Sequence, residues 1–425
     1  MPFYKNLRKK ESKHFANRTI EHMLTLRTQL RKDVPARTLR DTLLLATWNI
    51  RDFDSNKFGQ GPRLDESFYY IAEIIASFDL VAVQEVTTDL GPLKRVMSIL
   101  GPNWDYIVTD VTEGPGGNKE RLAFVFDKRK IMFRNIAGEI VLPLSQTIGG
   151  EATEIELPAS HSIEFTKDTT LKLPDGSKVA VKKKQKLEMP VGKHIIHLPE
   201  GQTVAKYRQF ARTPFMVAFQ AGWFKFNLCT VHLYYGDDTG AKYKRRVKEI
   251  SAISKFLADR AKKIRKEEKT GENFILLGDF NIVNPEDPTM KALTKNGFTL
   301  PEKLYKSNVS QSMYYDQIAF MVKKGELEMG PSKDNSGVFR FFHSVFRDGE
   351  LSTYHDLMKN TKLRDFHEKG TKKAGQPRTK AEKKTYYCDK WRTWQMSDHC
   401  PLWVELKIDF SDRYLKHIKS ELNGT

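Results

Sequence analysis

The sequence has few cysteines and no long hydrophobic run. Only Cys229, Cys388 and Cys400 occur among the 425 residues, and no two of them form a CxxC pair. Three cysteines cannot build a disulfide framework, and without a CxxC pair a cysteine-based zinc site is not expected. No stretch approaches the roughly 18 uncharged apolar residues that a membrane-spanning helix needs. The sequence therefore predicts neither a disulfide-rich secreted domain nor a transmembrane segment.

A leader segment and internal repeats are also absent from the pattern. Residues 1–13 are basic and polar, with no apolar run behind them, so the sequence predicts no secretory signal. Because cysteines are scarce as well, we expect a cytoplasmic location. Hydrophobic residues make up 39% of the chain and charged residues 29%, which is typical of a globular protein with a sizeable core.

The charge of the chain is positive and unevenly spread. Lys and Arg exceed Asp and Glu by 18, which favours a polyanionic partner such as nucleic acid, a phosphorylated ligand or an anionic membrane surface. Net charges of +7, +5, +8 and +6 fall in residues 1–41, 171–193, 242–269 and 367–392. The remaining residues sum to −8. An acidic centre ringed by basic segments suits a cation site that receives a phosphate backbone, although each segment alone is more simply a solvated face.

Buried strands alternate with amphipathic helices along most of the chain. Continuous apolar runs predict strands at 42–49, 79–85, 106–109, 122–126, 215–219, 224–232, 273–279, 316–322 and 400–408. Apolar residues at helical spacing predict helices at 19–31, 66–78, 93–100 and 241–269. This alternation indicates an α/β domain, in which helices cover a buried sheet.

Two segments interrupt this alternation. Residues 140–205 contain five prolines and short apparent strands, so they predict a β-rich insertion. His194 and His197 lie there, and we expect them on a strand surface rather than at a metal. Residues 324–385 are polar and rich in Gly and Lys, and predict a second insertion with a helical part at 354–362. The predicted organisation is a basic N-terminal helical extension, a main domain with both insertions, and a C-terminal tail, at 1–41, 42–408 and 409–425.

Side chains that can bind a cation or move a proton flank most of the predicted strands. They are Asn49, Glu85, His232, Asp279, Asn281, Asp316, Asp398 and His399. Any one of them could simply end a strand, but eight beside apolar runs predict a common site. Carboxylates and amides gathered at a sheet edge offer the oxygen ligands that a hard divalent cation such as Mg²⁺ prefers. Two histidines add acid–base groups that work near neutral pH.

Seven blocks of the sequence, in order, resemble the endonuclease/exonuclease/phosphatase superfamily, and most closely its deoxyribonuclease I-like branch. The blocks are LLLATWNIRDF, LVAVQEV, NKERLAFVF, LCTVHL, ILLGDFNIV, YYDQIAF and SDHCPLWVEL, within residues 42–142, 206–325 and 386–408. The resemblance implies a four-layered α/β sandwich, with two central mixed β-sheets flanked by helices, and here a β-rich insertion. Residues 42–408 would then be the catalytic domain, with the site at one edge of the sandwich.

The resemblance also implies a role for each strand-end residue. Glu85 would be the principal metal ligand, assisted by Asn49 and Asp398. The ion would be Mg²⁺, with Mn²⁺ or Ca²⁺ as alternatives. Asp279 and Asn281 would orient the attacking water and hold the scissile phosphate.

Two carboxylate–histidine pairs follow from the same resemblance. His399 would pair with Asp316, and Glu120 of the KER segment would pair with His232, as in the deoxyribonuclease-like branch. The resemblance and the neighbouring sequence add three arginines that could bind the substrate, Arg51, Arg121 and Arg212. A surface salt bridge is the alternative for Arg121 and Arg212.

The activity that the resemblance implies is metal-dependent phosphodiester hydrolysis. The leading hypothesis is a DNA endonuclease of low sequence specificity that leaves 5′-phosphate and 3′-hydroxyl ends. The KER segment at 119–121 favours a nuclease over a phosphomonoesterase. The alternatives are a phosphatase or phosphodiesterase acting on inositol phosphates or phospholipid head groups, and a non-enzymatic scaffold, which would be expected to lose site residues. The sequence does not indicate an oligomeric state.

The sequence departs from the secreted deoxyribonucleases at two positions that serve DNA contact. Thr87 stands where they have an arginine, and Asn118 where they have an aromatic residue. Phosphate binding by lysines of the insertions could replace these contacts, at Lys182, Lys183, Lys184, Lys383 and Lys384. Four aromatic residues before the SDH motif could stack on bases, although we expect at least two of them in the core: Tyr386, Tyr387, Trp391 and Trp394.

Overall fold

The structure is a computed structural model of the chain, which divides into two compact units. It describes residues 2–9, 13–53, 56, 58–112, 118–143, 148–152, 154–157, 162–164, 167–172, 177–188, 194–197, 204–268, 272–323, 327–358 and 361–422. The first unit comprises Met1–Val141 and Phe210–Thr425, and the second comprises Leu142–Gln209.

Two mixed β-sheets form the centre of the first unit. The larger sheet contains β1 (Thr42–Phe53), β2 (Leu80–Val86), β3 (Trp104–Val108), β4 (Arg121–Asp127), β18 (Ser336–Val338) and β19 (Leu402–Lys407), in the order β18-β19-β1-β2-β4-β3. The smaller sheet contains β5 (Ile131–Glu139), β14 (Phe215–Ala221), β15 (Phe224–His232), β16 (Phe274–Asp279) and β17 (Asp316–Met321), in the order β17-β16-β15-β14-β5. Each sheet has one parallel pair, β1 with β2 and β15 with β16, and its other pairs are antiparallel.

Helices cover the outer faces of these sheets. They include α1 (Lys13–Asp33), α2 (Asp65–Ala76), α3 (Gly91–Leu100), α4 (Gly240–Glu268) and α5 (Pro288–Thr294). Helix α10 (Ser411–Leu422) follows β19 and has no buried residue. Short helical turns fill the region before β19, at α6 (Leu351–Tyr354), α7 (Thr361–Asp365), α8 (Lys380–Tyr386), a π-helical turn (Tyr387–Trp391) and α9 (Arg392–Gln395). Among the described residues, no helix combines the length and the apolar character needed to cross a membrane.

Strand β1 shows why the sequence reads as a continuous apolar run. Leu43 and Leu45 pack in a core that the two sheets share. Leu44 and Trp48 pack in a second core, which α1, α2 and α3 close from outside. Successive residues of a strand point to opposite faces, so a strand buried on both sides needs apolar residues at every position. With α4 packed against β16 on the far side, the predicted four-layered α/β sandwich with two central mixed sheets is confirmed.

The N-terminal helix belongs to this packing. It begins at Lys13 rather than at residue 19, and its buried side chains Met23, Leu26 and Leu30 lie in the second core. The Arg18 Nε atom lies 3.0 Å from Glu66 Oε2 of α2, and both side chains are buried. The N-terminal segment thus contributes a structural helix to the first unit.

The segment predicted as a second insertion also packs into the first unit. Phe341, Phe346 and Tyr354 are buried in the second core. Tyr386, Tyr387, Trp391 and Trp394 are all at most 3% exposed. The prediction that some of these four aromatics stack on bases is therefore wrong, because all four rings are buried, three of them in the second core.

The second unit is built entirely from short antiparallel strands within its described residues. They are β6 (Ile148–Ala152), β7 (Glu154–Leu157), β8 (Ser162–Glu164), β9 (Thr169–Lys172), β10 (Lys178–Val181), β11 (Lys186–Glu188), β12 (His194–His197) and β13 (Val204–Arg208). Four of them form a sheet in the order β10-β9-β12-β7, and the others pair as β11-β8 and β13-β6. The predicted β-rich insertion is confirmed, and His194 and His197 open and close β12.

One strand of the smaller sheet, β5, was not predicted from the sequence. Strand β5 lies at the sheet edge, and most of its residues are partly or fully exposed. An edge strand needs no continuous apolar run, so the hydrophobic pattern of IMFRNIAGE gave no signal.

The turn from β16 into the GDFN motif depends on a glycine. Gly278 has φ +132°, and a Cβ atom added there would lie 2.1 Å from the carbonyl oxygen of Val231 in β15. We expect Gly278→Ala to destabilise the protein by more than about 3 kcal/mol, because the backbone of a central strand would have to move. The free energy of unfolding in denaturant measures this change.

Gly349→Ala provides the control, because nothing lies within 4 Å of a Cβ added at that exposed turn. It should leave the free energy of unfolding almost unchanged. Equal stabilities for the two variants would contradict the assigned close approach of β15 and β16.

Candidate active site

The polar strand-end residues of both sheets meet at one edge of the sandwich. Asn49 and Glu85 lie near the carboxyl ends of β1 and β2, which are parallel neighbours. His232 and Asp279 close β15 and β16 and are register partners in the parallel pair of the other sheet. Because the carboxyl ends of parallel strands share an edge, each sheet brings two functional side chains to the same end.

Irregular backbone orients the side chains at this edge. The register between β1 and β2 shifts after Asn49, and the register between β2 and β4 shifts around Glu85. Glu85 and Asn281 adopt positive φ angles of 61° and 53°, which is uncommon for residues other than glycine. The backbone N–H of Asp52, also at positive φ, donates to Glu85 Oε2 at 2.7 Å and holds the carboxylate in place. Such strained positions cluster at functional sites in proteins.

Asn49 links the two sheets at the centre of the site. Its Nδ2 atom donates to Glu85 Oε1 at 2.9 Å and to Asp279 Oδ2 at 3.1 Å. Its Oδ1 atom is buried and has no hydrogen-bond partner among the described residues. The two ends of an amide are nearly isosteric, so a half turn of the amide would point Oδ1 at the two carboxylates. Three oxygens would then face one point, which fits a hard divalent cation.

Burial makes these carboxylates receptive to positive charge. Burial raises the pKa of Glu85, the His232 imidazole opposes that rise, and the nearby Glu120, Asp52 and Asp398 carboxylates add to it. Acidic groups crowded away from water repel one another. A cation bound among them would relieve both the burial and the repulsion.

A second group of side chains at the site also has the geometry of a metal site. One ligand atom from each of Asp279, Asp316 and His399 lies within 4.8 Å of the others. However, His399 Nδ1 and Asp316 Oδ2 are 2.7 Å apart, which is a hydrogen bond. Asp316 is therefore the hydrogen-bond partner of His399, and metal ligation by Glu85 and Asn49 stays a prediction.

His232 is held by an ion pair from the larger sheet. Its Nδ1 atom lies 2.7 Å from Glu120 Oε2, and Arg212 Nε lies 3.0 Å from the same oxygen. Burial alone would raise the pKa of Glu120, but the His232 imidazole and the Arg212 guanidinium outweigh it and lower the pKa to about 2. Burial and Arg212 lower the pKa of His232, yet Glu120 and Asp279 raise it overall. The Nε2 atom faces inward, 3.6 Å from Asp279 Oδ2 and 3.8 Å from Glu85 Oε1.

His399 is held in a similar way from the smaller sheet. Asp316 Oδ2 accepts from His399 Nδ1 and also from Ser307 Oγ, at 2.7 and 2.6 Å. Burial would lower the pKa of His399, but the carboxylates of Asp316 and Asp279 hold it well above its usual value. Its Nε2 atom lies 3.8 Å from Asp279 Oδ2. Asp279 thus sits between two imidazoles, each paired at Nδ1 with its own carboxylate.

Asn281 and Asp398 have different neighbours from the central residues. The backbone N–H of Asn281 donates to Asp279 Oδ1 at 2.8 Å, and its amide nitrogen donates to the carbonyl of Leu233 at 2.8 Å. The side chain of Asp398 is half-exposed, and its Oδ2 atom lies 3.9 Å from Arg51 Nε. Asn281 therefore braces Asp279, and metal ligation by Asp398 stays a prediction.

The three predicted substrate-binding arginines all have partners within the protein. Arg51 Nη1 donates to Thr393 Oγ1 at 2.7 Å, and Arg121 Nη1 donates to the carbonyl of Thr109 at 2.9 Å. Arg212 is buried and braces Glu120, as described above. Contact of these arginines with a substrate stays a prediction.

Several residues that support the site were not predicted from the sequence. Ser397 Oγ donates to the carbonyl of Asn49 at 2.6 Å and accepts from the backbone N–H of His399 at 3.0 Å. Ser307 contacts Asp316 from a loop with no recognisable motif, and Tyr315, in the YYDQIAF block, contacts His399. Ser397 lies inside the SDH motif, so its neighbours could have drawn attention to it, whereas Ser307 could not have been found from spacing.

No family model matches the sequence of this chain. A search of curated proteins also gives no match.

Solved structures do match. An endonuclease/exonuclease/phosphatase family protein from Bacteroides thetaiotaomicron has a TM-score of 0.44 and 16% identity, over 88% of this chain and 97% of that chain. A humanized TDP2 from D. rerio with 14 mutations has a TM-score of 0.42 and 10% identity, over 86% of this chain and 98% of that chain. A mannosyl-6-phosphatase from Bacteroides thetaiotaomicron has a TM-score of 0.40 and 16% identity, over 86% of this chain and 99% of that chain. The first carries the name of the superfamily that the sequence motifs resemble, and similarity at this level says nothing about a substrate.

The ion pair at Glu120 should stabilise the fold in a pH-dependent way. The pKa of Glu120 is about 2 in the folded protein, against 4.5 for an unperturbed side chain. Its contribution is therefore present above pH 4.5 and is lost as pH falls towards 2. At pH 7 we expect Glu120→Gln to cost about 3–5 kcal/mol, since it removes the buried carboxylate that His232 and Arg212 share. The measurement is urea unfolding from pH 7 to pH 3, where the difference from the wild type should shrink.

Asp110→Asn is the matched control, because it also removes the carboxylate partner of an arginine in this region. The Asp110 side chain is 86% exposed, and its Oδ1 atom lies 3.4 Å from Arg121 Nη1. Solvent screens such a pair, so little change in stability is expected. If Glu120→Gln behaved like this control at every pH, the assigned pair with His232 and Arg212 would be wrong.

Proposed function

We propose that this protein is a Mg²⁺-dependent DNA endonuclease of low sequence specificity, producing 5′-phosphate and 3′-hydroxyl ends. The observation that carries the proposal is the convergence of Asn49, Glu85 and Asp279 with two imidazoles, each paired with its own carboxylate. Oxygen ligands beside acid–base groups are what hydrolysis of a phosphate ester requires.

Glu85 and Asn49 would hold the cation, with Asp279 beside them. A bound divalent cation supplies positive charge that offsets the charge on the phosphate oxygens as the transition state forms. The unpartnered Oδ1 of Asn49 and the crowding of carboxylates around Glu85 support this assignment. Mn²⁺ and Ca²⁺ suit the same oxygen ligands.

The side chains around Asp279 divide the remaining work. Asp279 would accept a proton from the attacking water, since its carboxylate is fixed by Asn49 and by the backbone of Asn281. His232 and His399 would donate from Nε2 to phosphate oxygens, because Glu120 and Asp316 engage the Nδ1 atoms. Paired carboxylates stabilise the protonated imidazoles, which favours the form that can donate.

DNA as the substrate is supported by charge and by one of the two pairs. The excess of 18 positive charges favours a polyanion. Exposed lysines recur along one stripe of α4, at Lys244, Lys248, Lys255, Lys262 and Lys266. The contact between Glu120 and His232 agrees with the deoxyribonuclease-like branch of the family that the sequence resembles.

A substrate panel separates the proposed function from its alternative. Supercoiled plasmid, single-stranded DNA, RNA and inositol phosphates are incubated with the protein in Mg²⁺, with and without chelator. We expect plasmid nicking that needs the metal and falls steeply with added salt, because phosphate contacts release counterions. If the plasmid stays intact while inositol phosphates release phosphate, the nuclease proposal is refuted and a phosphatase is favoured.

Removing the His399 imidazole should abolish most of the activity. We expect His399→Ala to lower the rate of plasmid nicking about 10²–10⁴-fold, the usual contribution of an acid–base group. His417→Ala is the control, because His417 lies on α10 and its side chain is 65% exposed. Equal activities of the two variants, both folded by circular dichroism, would remove His399 from the mechanism.

A further inference from the structure

The hydrogen bond that His399 donates to Asp316 does not by itself fix the imidazole. It fastens the ring at Nδ1, 2.7 Å from Asp316 Oδ2. The torsion that joins a histidine ring to its Cβ atom has a broad energy well, so a ring held at one point can still tilt. A tilt about Nδ1 would carry Nε2, the atom that faces Asp279, away from its working position.

The ring of Tyr315 lies against one face of this imidazole. The two ring centroids are 5.5 Å apart and the planes make an angle of 26°. Tyr315 directly precedes Asp316 in the chain, so neighbouring residues hold His399 from two directions. One accepts a hydrogen bond in the plane of the ring, and the other covers its face. Together these contacts restrict both the rotation and the tilt of the imidazole.

Tyr315 is itself held from the other side of the site. The ring of Tyr235 meets it edge-on, with centroids 6.2 Å apart and an angle of 82°. Tyr235 Oη donates to Asp238 Oδ1 at 2.7 Å, and the buried Arg246 donates from Nη1 to the Tyr235 carbonyl at 2.9 Å. The Arg246 guanidinium carbon also lies 4.7 Å from the centroid of the Tyr235 ring. The loop between β15 and α4 thus supports the ring of Tyr315.

We propose that Tyr315 is a positioning residue, whose ring holds the His399 imidazole in the plane where Asp316 accepts from Nδ1 and Nε2 reaches the phosphate. This inference rests on the proposed phosphodiesterase function. It assigns Tyr315 no contact with the substrate, and its effect on the rate passes through His399.

Two substitutions at residue 315 separate ring stacking from other roles. Tyr315→Phe keeps the ring, so kcat on an oligonucleotide should stay within about threefold of the wild type. Tyr315→Leu fills similar space without a ring, and kcat should fall about 10–100-fold with KM nearly unchanged, because small displacements of a reacting group are costly. Tyr314→Leu is the control, because the neighbouring Tyr314 ring packs under Lys306, whose Nζ atom lies 5.8 Å from the ring centroid.

A double-mutant cycle tests whether the effect passes through His399. In a His399→Gln background, Tyr315→Leu should lower kcat no further, because the group that it positions is absent. An equal loss in both backgrounds, or a rise in KM with kcat unchanged, would show that Tyr315 contacts the substrate and would overturn the proposal. A loss of kcat in Tyr315→Phe as large as in Tyr315→Leu would overturn it as well.

A spectroscopic measurement keeps this inference separate from the proposed function. In protein labelled with ¹⁵N-histidine, the Nδ1–H proton that His399 shares with Asp316 should give a protected downfield signal in the wild type and in Tyr315→Phe. The signal should broaden or vanish in Tyr315→Leu, while the melting temperature stays close to the wild-type value. An unchanged signal in Tyr315→Leu would refute positioning by Tyr315. Failure of the wild type to cleave any phosphodiester would refute the function alone.

Discussion

The pairing of buried carboxylates with buried imidazoles is the interaction on which the rest of this site depends. Asp279 is only 2% exposed and faces the Nε2 atoms of both His232 and His399. Each imidazole is held at Nδ1 by another buried carboxylate. Charges removed from water persist only when they are paired and hydrogen-bonded. The site is therefore a network in which the buried carboxylates and imidazoles depend on one another for pairing.

The two-sheet architecture makes this network possible. Each central sheet contributes one parallel strand pair, and both pairs end at the same edge, so four strand ends deliver side chains to one place. The antiparallel neighbours add residues at their starts, Asp316 before the body of β17 and His399 before β19. Asn49 then bridges the sheets through hydrogen bonds to Glu85 and Asp279. The apolar core that both sheets share keeps water from the underside of these contacts.

The aromatic residues show how a local pattern can mislead. The cluster of Tyr and Trp before the SDH motif looked suited to stacking on bases, yet these rings complete a core. The aromatic ring that does reach the site, Tyr315, comes from a short motif chosen for its aspartate. Arg212 is a second example, because this predicted substrate-binding arginine forms an ion pair with Glu120 inside the protein. Exposure and partners depend on neighbours that are distant in sequence, so residue type alone cannot decide between a binding role and a structural one.

Local features of the sequence were enough to predict the layered α/β fold, the β-rich insertion and the strand-end residues. Continuous apolar runs mark strands buried on both faces, and each run is followed or preceded by its polar residue. The two carboxylate–histidine pairs were expected from the resemblance alone, whereas the addition of Arg212 to Glu120 and His232, and the packing of Tyr315 on His399, became visible only in the folded chain. Those contacts join residues that are tens to hundreds of positions apart. They follow from strand order, register shifts and positive φ angles, which the hydrophobic pattern does not encode.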